Sequence, residues 1–215
     1  MKITSAEKNK KYKDRLSVFV DGKFSFTISE EDYLSMNLYE DQELTPDTID
    51  YIKNTLNYRE AKSRAVRYLS MKMRTEKEVR VKLGEEGYDD DCIEKAVNEL
   101  KAIGYINNQL YAQKYVYDRS KLKPISKKLM KKELAFKGIS EEIADEVLND
   151  WKVEDSAVVE SLLKRKFGKY DLTDKKVLKK AMMFLMHRGF SGDTIREALR
   201  DYSSDSSDSF DNSDY

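Results

Sequence analysis

The sequence predicts a mostly α-helical protein, with tandem three-helix repeats in an elongated array that follow a small N-terminal β-hairpin and helix region. Two observations predict the repeats, namely glycines at a fixed interval and helix-cap residues in the same register; alternating apolar runs near the start predict the hairpin. Gly87, Gly138 and Gly189 are 51 residues apart in both intervals. Each follows a leucine by four residues and precedes a large apolar residue. This setting is typical of the left-handed residue just past a helix end, so three helices are expected to end alike.

The N-terminal region is predicted to span residues 1–58. Two alternating apolar runs, Leu16–Val20 and Lys23–Ile28, flank Asp21-Gly22, a pair that favours a tight hairpin turn. Leu16, Val18 and Val20 are expected to share one face, as are Phe24, Phe26 and Ile28 on the partner strand. A lone hairpin is only marginally stable and needs a cover.

That cover is expected from the helices that follow. Ser29 is a suitable N-cap for the first of them, and Tyr33, Leu34 and Leu38 are expected to pack on the hairpin. Thr45-Pro46 then predicts a second helix, because proline is favoured at the first helical position.

The predicted repeats occupy residues 59–107, 108–152 and 153–202. Thr75 begins a capping-box sequence, and Ser126 lies 51 residues after it in the second repeat. The third repeat is longer by six residues, which we place in a loop at Gly168–Thr173 on composition. The only tryptophan, Trp151, is expected to pack between repeats two and three.

Residues 203–215 are predicted to be a disordered acidic tail, because they are mostly serine and aspartate with too few apolar residues to form a core. Residues 201–215 contain five aspartates and no basic residue. The whole chain has 40 basic and 40 acidic residues, and residues 1–200 hold all 40 basic residues and 35 of the acidic ones. The net charge is therefore +5 for residues 1–200 and −5 for residues 201–215.

Composition argues against several functional classes. One cysteine, Cys92, and one histidine, His187, are too few for a zinc site. Neither a nucleophile motif nor a phosphate-binding glycine loop is present. We therefore expect a non-enzymatic protein without a cofactor. No apolar run approaches the length of a membrane span and no signal peptide begins the chain, so a cytoplasmic protein with no membrane contact is expected.

The predicted second helix of repeat two is the strongest candidate for an interaction surface. Its lysines share one face, with Leu129, Met130 and Phe136 towards the other side. The surrounding segment holds a single acidic residue, Glu133. The basic residues of this segment are Arg119, Lys121, Lys123, Lys127, Lys128, Lys131, Lys132 and Lys137. Such a face is either an ordinary solvated surface or the contact site for an anionic partner; the charge imbalance favours the partner.

Other basic residues are weaker candidates. Lys164, Arg165 and Lys166 form a short cluster in repeat three. A second set lies near Asp171 and Asp174 and comprises Lys175, Lys176, Lys179 and Lys180.

Two single arginines in repeat one, Arg67 and Arg74, either pair with neighbouring acids or contact a partner.

Tyr111 and Tyr115 are four residues apart on one helix face. That spacing favours packing in the core over base stacking.

These segments resemble the RecX family of bacterial recombination regulators. The resemblance rests on Arg67–Ser70 leading into Arg74–Val79, on Leu83 with Gly87-Tyr88, on Leu100–Asn108 running into Tyr111-Ala112, and on Lys132–Leu134 with Lys137–Ile139. It extends from the hairpin to about residue 200 and leaves the acidic tail outside.

The resemblance implies a protein that binds the RecA filament on single-stranded DNA, along its helical groove, and inhibits ATP hydrolysis and strand exchange by RecA. A monomeric array of repeats would suit that role, since it could contact several filament subunits at once. The alternative is a helical module that binds nucleic acid directly and has no recombinase partner.

Overall fold

A computed structural model describes residues 1–12 and 14–208, with backbone alone for residues 203–208. The chain divides into two compact units, Met1–Asn107 and Asn108–Tyr215. The first contains a small sheet and three-helix repeat one, and the second contains repeats two and three. The predicted class, mostly helical with three-helix repeats after an N-terminal β region, is confirmed.

The N-terminal sheet has three antiparallel strands in the order β1 (Ile3–Lys8), β2 (Arg15–Val20) and β3 (Lys23–Ser29). Asp21 and Gly22 connect β2 to β3 with φ values of 50° and 77°, as a tight turn with two left-handed residues requires. The hairpin prediction is confirmed, but it omitted β1. That strand is short, with mainly small and polar residues after Ile3, so its pairing with β2 had no clear local signal.

A bulge in the hairpin changes which side chains are buried. The register between β2 and β3 shifts between Val18 and Phe19, so that Phe19 pairs with Phe24. Phe26 and Ile28 stay in the core, whereas Phe24 is 59% exposed and contacts Phe19 edge to face. Phe24 therefore does not share the buried face that strict alternation predicted.

The helix α1 (Glu30–Ser35) covers the sheet as expected. The hydroxyl of Ser29 accepts a hydrogen bond from the backbone N–H of Asp32 and so caps the helix. Tyr33 and Leu38 join the core of the sheet. Leu34 is 72% exposed, so its predicted packing is wrong.

A helical run of 26 residues connects the sheet region to repeat one. It begins as α2 (Pro46–Tyr51), passes through a π-helical turn (Ile52–Leu56) and continues as α3 (Asn57–Met71). Thr45 caps α2 by accepting from the N–H of Thr48, as the sequence predicted.

Repeat one consists of α3, α4 (Glu76–Glu85) and α5 (Asp90–Ala102). The predicted capping box is present, because the Thr75 hydroxyl accepts from the N–H of Glu78 and the Glu78 carboxylate accepts from the N–H of Thr75. The core of this repeat includes Val79, Leu83 and Leu100.

Arg15 joins the sheet to repeat one. Its side chain is only 4% exposed and donates to the carboxylate of Glu60 at 2.9 Å and to the side-chain oxygen of Asn57 at 2.7 Å. The guanidinium also lies 4.4 Å from the ring centroid of Tyr88. A buried cation is tolerated because acceptors and an aromatic face surround it.

The described part of the second unit contains six helices, two repeats of three. Repeat two comprises α6 (Asn108–Leu122), α7 (Lys127–Phe136) and α8 (Glu141–Asp150); repeat three comprises α9 (Asp155–Phe167), α10 (Lys175–Met186) and α11 (Gly192–Asp208). The predicted loop at Gly168–Thr173 lies between α9 and α10. Residues 203–208 of the predicted tail lie within α11, and residues 209–215 lie outside the described residues.

The three repeated glycines end their helices in the same way. Gly87, Gly138 and Gly189 have φ values of 85°, 80° and 81°. In each repeat the residue after the glycine donates its N–H to the carbonyl of the leucine four residues before the glycine. The equal spacing in the sequence therefore corresponds to three equivalent C-caps.

The Gly189 turn also holds repeats two and three together. The buried Ser126 hydroxyl, which caps α7, donates to the carbonyl of Gly189 at 2.7 Å, and the N–H of Ser126 donates to the carbonyl of Arg188 at 3.0 Å. Trp151 packs on the repeat-two core and lines a cavity of about 220 Å³ with residues of α9 such as Val158. Its packing on repeat two is confirmed, whereas direct packing on repeat three stays a prediction.

Within the part of the chain that the structure describes, no helix combines the length and the apolar character needed to cross a membrane.

Candidate binding surface

The four lysines of α7 divide into two pairs with different surroundings. Lys131 forms ion pairs with Glu141 at 2.6 Å and Asp145 at 2.7 Å, and its pKa is raised by hydrogen bonds to these two carboxylates. Lys127 lies 3.7 Å from the carboxylate of Glu154. The charges of this pair are thus balanced by acids from α8 and from the residues just before α9.

Lys128 and Lys132 form the other pair, here called the free α7 lysines. Both are exposed and four residues apart, so they lie one turn apart on the same side of α7. Neither forms an ion pair with a described residue. The sequence predicted that all four lysines of α7 form one basic face. In the structure only two of them, Lys128 and Lys132, have no carboxylate partner among the described residues and can bind an anion.

Arg119 has a structural role within repeat two. Its guanidinium donates twice to the Glu133 carboxylate, at 2.9 and 2.6 Å, and the Tyr115 hydroxyl donates to the same carboxylate at 2.6 Å. The hydrogen bonds to Glu133 raise the pKa of Arg119. Burial, followed by the hydrogen bond to Glu133, raises the pKa of Tyr115 to about 12. Arg119 is thus already paired by a bidentate interaction.

The Glu133 carboxylate should make the stability of repeat two depend on pH. Burial acts to raise its pKa, but the hydrogen bonds from Arg119 and Tyr115 outweigh burial and lower it. The resulting stabilisation is present above the unfolded-state pKa, about 4.3, and is lost as pH falls through the folded-state pKa. We expect Glu133→Gln to lower the melting temperature at pH 7. Below pH 4 the difference in melting temperature between the variant and the unmodified protein should become smaller. A difference independent of pH would contradict this account.

Lys121 and Lys123 lie at the end of α6 and just beyond it. Both are exposed, and neither pairs with a described carboxylate. The Lys121 amino group is 5.8 Å from the ring centroid of Tyr117. These two lysines add positive charge on the chain segment that leads into α7.

In repeat three, Lys164, Arg165 and Lys166 occupy the last turn of α9 and are exposed. The Lys166 amino group lies 3.8 Å from the ring centroid of Phe184. Cations at this end of a helix also interact favourably with its dipole. Described carboxylates do not pair with these three residues, so they remain available for an anionic partner.

Arg188, which lies just before Gly189, is a further basic residue at the end of α10. Its guanidinium lies 4.2 Å from the centroid of Phe184, so Phe184 contacts both Arg188 and Lys166. Burial, and then the charges of Arg165 and Arg119, lower the pKa of Arg188. Basic groups from α6, α9 and the end of α10 therefore act on one another here. The only sequence signal was an arginine next to a capping glycine.

The lysines of α10 have no acidic partners among the described residues. The nearby Asp171 accepts hydrogen bonds from Thr173, and Asp174 accepts from the N–H of Lys176. Lys175, Lys176, Lys179 and Lys180 are all exposed. Asp171 and Asp174, which were expected to neutralise the positive charge of this face, instead accept hydrogen bonds within a local turn and a helix cap.

The two arginines of repeat one have different environments. The Arg74 guanidinium stacks 4.1 Å from the ring centroid of Tyr68, which favours a packing role. Arg67 is exposed on α3 and has no ion pair among the described residues.

The positions of the aromatic residues in repeat two agree only in part with those predicted from the sequence. Tyr111 and Tyr115 stack on each other, with centroids 6.2 Å apart, and pack against the core, which confirms the prediction. Phe136 was expected on the apolar side of α7 but is 81% exposed. It follows Lys132 by one turn and therefore lies on the side of the helix that carries the free α7 lysines.

Chemistry based on cysteine or metal ligands has no support in the described residues. Cys92 is buried, its thiol donates to the carbonyl of Lys53 at 3.1 Å, and burial raises its pKa to about 12. Among residues 1–12 and 14–208, no three His, Cys, Asp or Glu side chains are grouped so that they could hold a metal ion.

Sequence-family models match most of the chain. The RecX N-terminal domain matches residues 1–45, and the first, second and third RecX three-helix domains match residues 61–100, 107–148 and 154–199. The regulatory protein RecX of Clostridium acetobutylicum is 31% identical over 205 residues, which cover 93% of this chain and 95% of that protein. The chain belongs to the RecX family. The RecX protein of Listeria monocytogenes is 28% identical over 95% of this chain and 77% of its own length.

Solved RecX structures share the fold. A crystal structure of a regulatory protein RecX matches with a TM-score of 0.61 and 26% identity, covering 93% of this chain and 98% of that one. The RecX structure from Lactobacillus salivarius matches with a TM-score of 0.56 and 27% identity over 67% of this chain and 96% of its own. The fold of this chain is thus similar to that of solved RecX structures.

Proposed function

We propose that this protein regulates the RecA recombinase by binding the RecA filament on single-stranded DNA, along the helical groove, and inhibiting ATP hydrolysis and strand exchange. The observation that carries the proposal is the match to all four RecX domains. The similar proteins are regulatory proteins by name, and the protein is proposed to act by binding rather than by catalysis.

The proposed contact with the filament uses the cations that have no carboxylate partner. These are the free α7 lysines and the exposed cluster at the end of α9. A phosphate backbone or an acidic protein surface would supply the missing negative charge. Lys127, Lys131 and Arg119 contribute less, because their charges are already neutralised within repeat two.

A titration of RecA ATPase activity tests the main proposal. RecA assembled on single-stranded DNA is mixed with increasing amounts of the protein, and ATP hydrolysis should fall to a low plateau. Binding of the protein to labelled DNA is measured in parallel with and without RecA. The proposal requires tight binding only when the filament is present, and unchanged ATP hydrolysis at saturating protein would refute it.

The second candidate is a helical module that binds nucleic acid directly. The exposed unpaired cations of α7, α9 and α10 would also suit this role. It requires tight binding to bare DNA, with affinity that falls steeply as salt increases, and no further gain from RecA. An inert scaffold for other proteins would bind neither bare DNA nor the filament.

A further inference from the structure

The cavity of about 220 Å³ beside Trp151 is lined by residues of repeats two and three. Its apolar side chains come from the segment before α7, from α7, from the connection between α8 and α9, and from α9; they include Ile125, Met130, Trp151, Val153 and Val158. Ile125 and Met130 are buried, whereas Val153 is 40% exposed. The apolar wall is therefore continuous with the core on one side and open to solvent on the other.

Hydrogen bonds fix the position of the cavity wall. The backbone N–H of Lys127 donates to the carboxylate of Asp155 at 3.0 Å, and both residues line the cavity. The hydroxyl of Ser126 donates to the carbonyl of Gly189 at 2.7 Å. The start of α7 is thus tied to the start of α9 and to the turn after α10. The cavity is formed before a ligand binds, as is usual for binding sites.

The rim of the cavity carries positive charge. Lys121 lines the cavity, and Lys123 precedes Pro124, which also lines it. Both lysines are exposed, and no described carboxylate pairs with either. Lys127 contributes less, because the Glu154 carboxylate lies 3.7 Å from its amino group. A segment that enters the cavity is therefore expected to carry acidic residues beside its apolar group.

An apolar side chain suits this wall better than a nucleobase. A base carries amide and amine groups that need hydrogen-bond partners when they are buried. The buried side chains of the wall, Ile125 and Met130, offer no donor and only a weak acceptor, the Met130 sulfur. The carboxylate of Asp155, which also lines the cavity, would repel a phosphate group.

We propose that this cavity binds one aromatic or branched aliphatic side chain of a partner protein, on a segment in which acidic residues flank that side chain. The apolar side chain packs against Trp151 and Val158, and the flanking carboxylates bind Lys121 and Lys123. A single large side chain in a preformed apolar pocket is a common anchor of protein interfaces. The inference goes beyond the proposed function, because it concerns a protein segment whether or not that segment belongs to the filament.

The fluorescence of Trp151 tests this proposal, because Trp151 is the only tryptophan and lines the cavity. The probe is the peptide acetyl-Asp-Asp-Phe-Asp-Asp-amide, added to the full chain. We expect a saturable blue shift of the emission, with a dissociation constant on the order of 0.1–1 mM. Replacement of the peptide's phenylalanine by alanine should weaken binding at least about tenfold. Equal effects of the two peptides, or no saturable shift up to about 5 mM, would overturn the proposal.

The Ala157→Leu substitution tests the location of the bound side chain. Ala157 is exposed on α9 and lines the cavity, so leucine there should occupy the cavity, preserve helicity and weaken binding of the phenylalanine peptide at least about tenfold. Ser156→Leu is the matched control, since Ser156 is also exposed but is not part of the cavity wall. Equal affinity of the two variants would overturn the proposal. If Ala157→Leu loses helicity, the comparison of the two peptides still decides.

The charges at the rim are tested with Lys121→Gln combined with Lys123→Gln. This variant should bind the acidic peptide about threefold more weakly or less tightly still, yet bind acetyl-Asn-Asn-Phe-Asn-Asn-amide as the unmodified protein does. Unchanged binding of the acidic peptide would overturn the acidic character of the partner segment.

A nucleic acid is the competing occupant, and a tetramer of thymidine nucleotides serves as its probe. We expect it to leave the emission of Trp151 unshifted. A saturable shift at lower concentration than the peptide requires, lost in Ala157→Leu, would show that the cavity holds a base and would overturn the proposal.

Discussion

The Gly189→Ala substitution is expected to lower the free energy of unfolding of the second unit by about 4 kcal/mol, the sum of two costs. Gly189 has a φ of 81°, where a side chain costs about 1–2 kcal/mol. An added Cβ would also lie 2.7 Å from the Cβ of Leu129 and 2.7 Å from the Ser126 hydroxyl. These atoms belong to the first turn of α7 and cannot move aside freely, so overpacking adds about 2–3 kcal/mol.

Gly104→Ala is the matched control for this effect. Gly104 has a nearly equal φ of 79°, but a Cβ there would meet no atom within 4 Å. We expect a loss of about 1–2 kcal/mol, the backbone cost alone. Urea denaturation followed by circular dichroism measures both variants, and Trp151 fluorescence reports the second unit. Equal losses for the two substitutions would show that the Gly189 turn does not lock repeats two and three together.

The repeats could be predicted from sequence because their signals are local. Each C-cap glycine lies four residues after the leucine whose carbonyl accepts the hydrogen bond that closes the turn, and the caps at Thr75 and Ser126 act within three residues. The strand β1 was missed because its partner β2 follows after an irregular connection and its own residues are mostly small or polar. Burial of Phe24 was mispredicted because a bulge, which alternation alone does not reveal, changes the register.

The binding surface was predicted less completely, because charge balance depends on contacts between elements. Counting acids between residues 119 and 137 found only Glu133. The acids that neutralise Lys131 come from α8, and Glu154 reaches Lys127 from just before α9. Conversely, Asp174 looked like a partner for the α10 lysines but caps the helix instead. Arg188 becomes a candidate only after folding brings Phe184 and Arg165 to it.

Reversing the charge of the free α7 lysines is expected to raise the protein concentration needed for half-maximal inhibition of RecA ATPase at least about tenfold, if each lysine makes one phosphate contact. Lys128 and Lys132 are exposed, so Lys128→Glu with Lys132→Glu should leave helicity and thermal stability unchanged. If the contacts are to DNA phosphates, the slope of log affinity against log salt should also decrease by about two.

The matched control reverses the other two lysines of the same helix. Lys127→Glu with Lys131→Glu changes net charge equally, but these residues face Glu154, Glu141 and Asp145. This variant should lose stability, because carboxylates would be placed beside carboxylates, yet keep inhibition within about twofold wherever it remains folded. A general effect of net charge would weaken both variants alike. Only a partner bound on the Lys128 and Lys132 side of α7 would separate them. Undiminished inhibition by both variants would mean that the filament contacts another part of the protein.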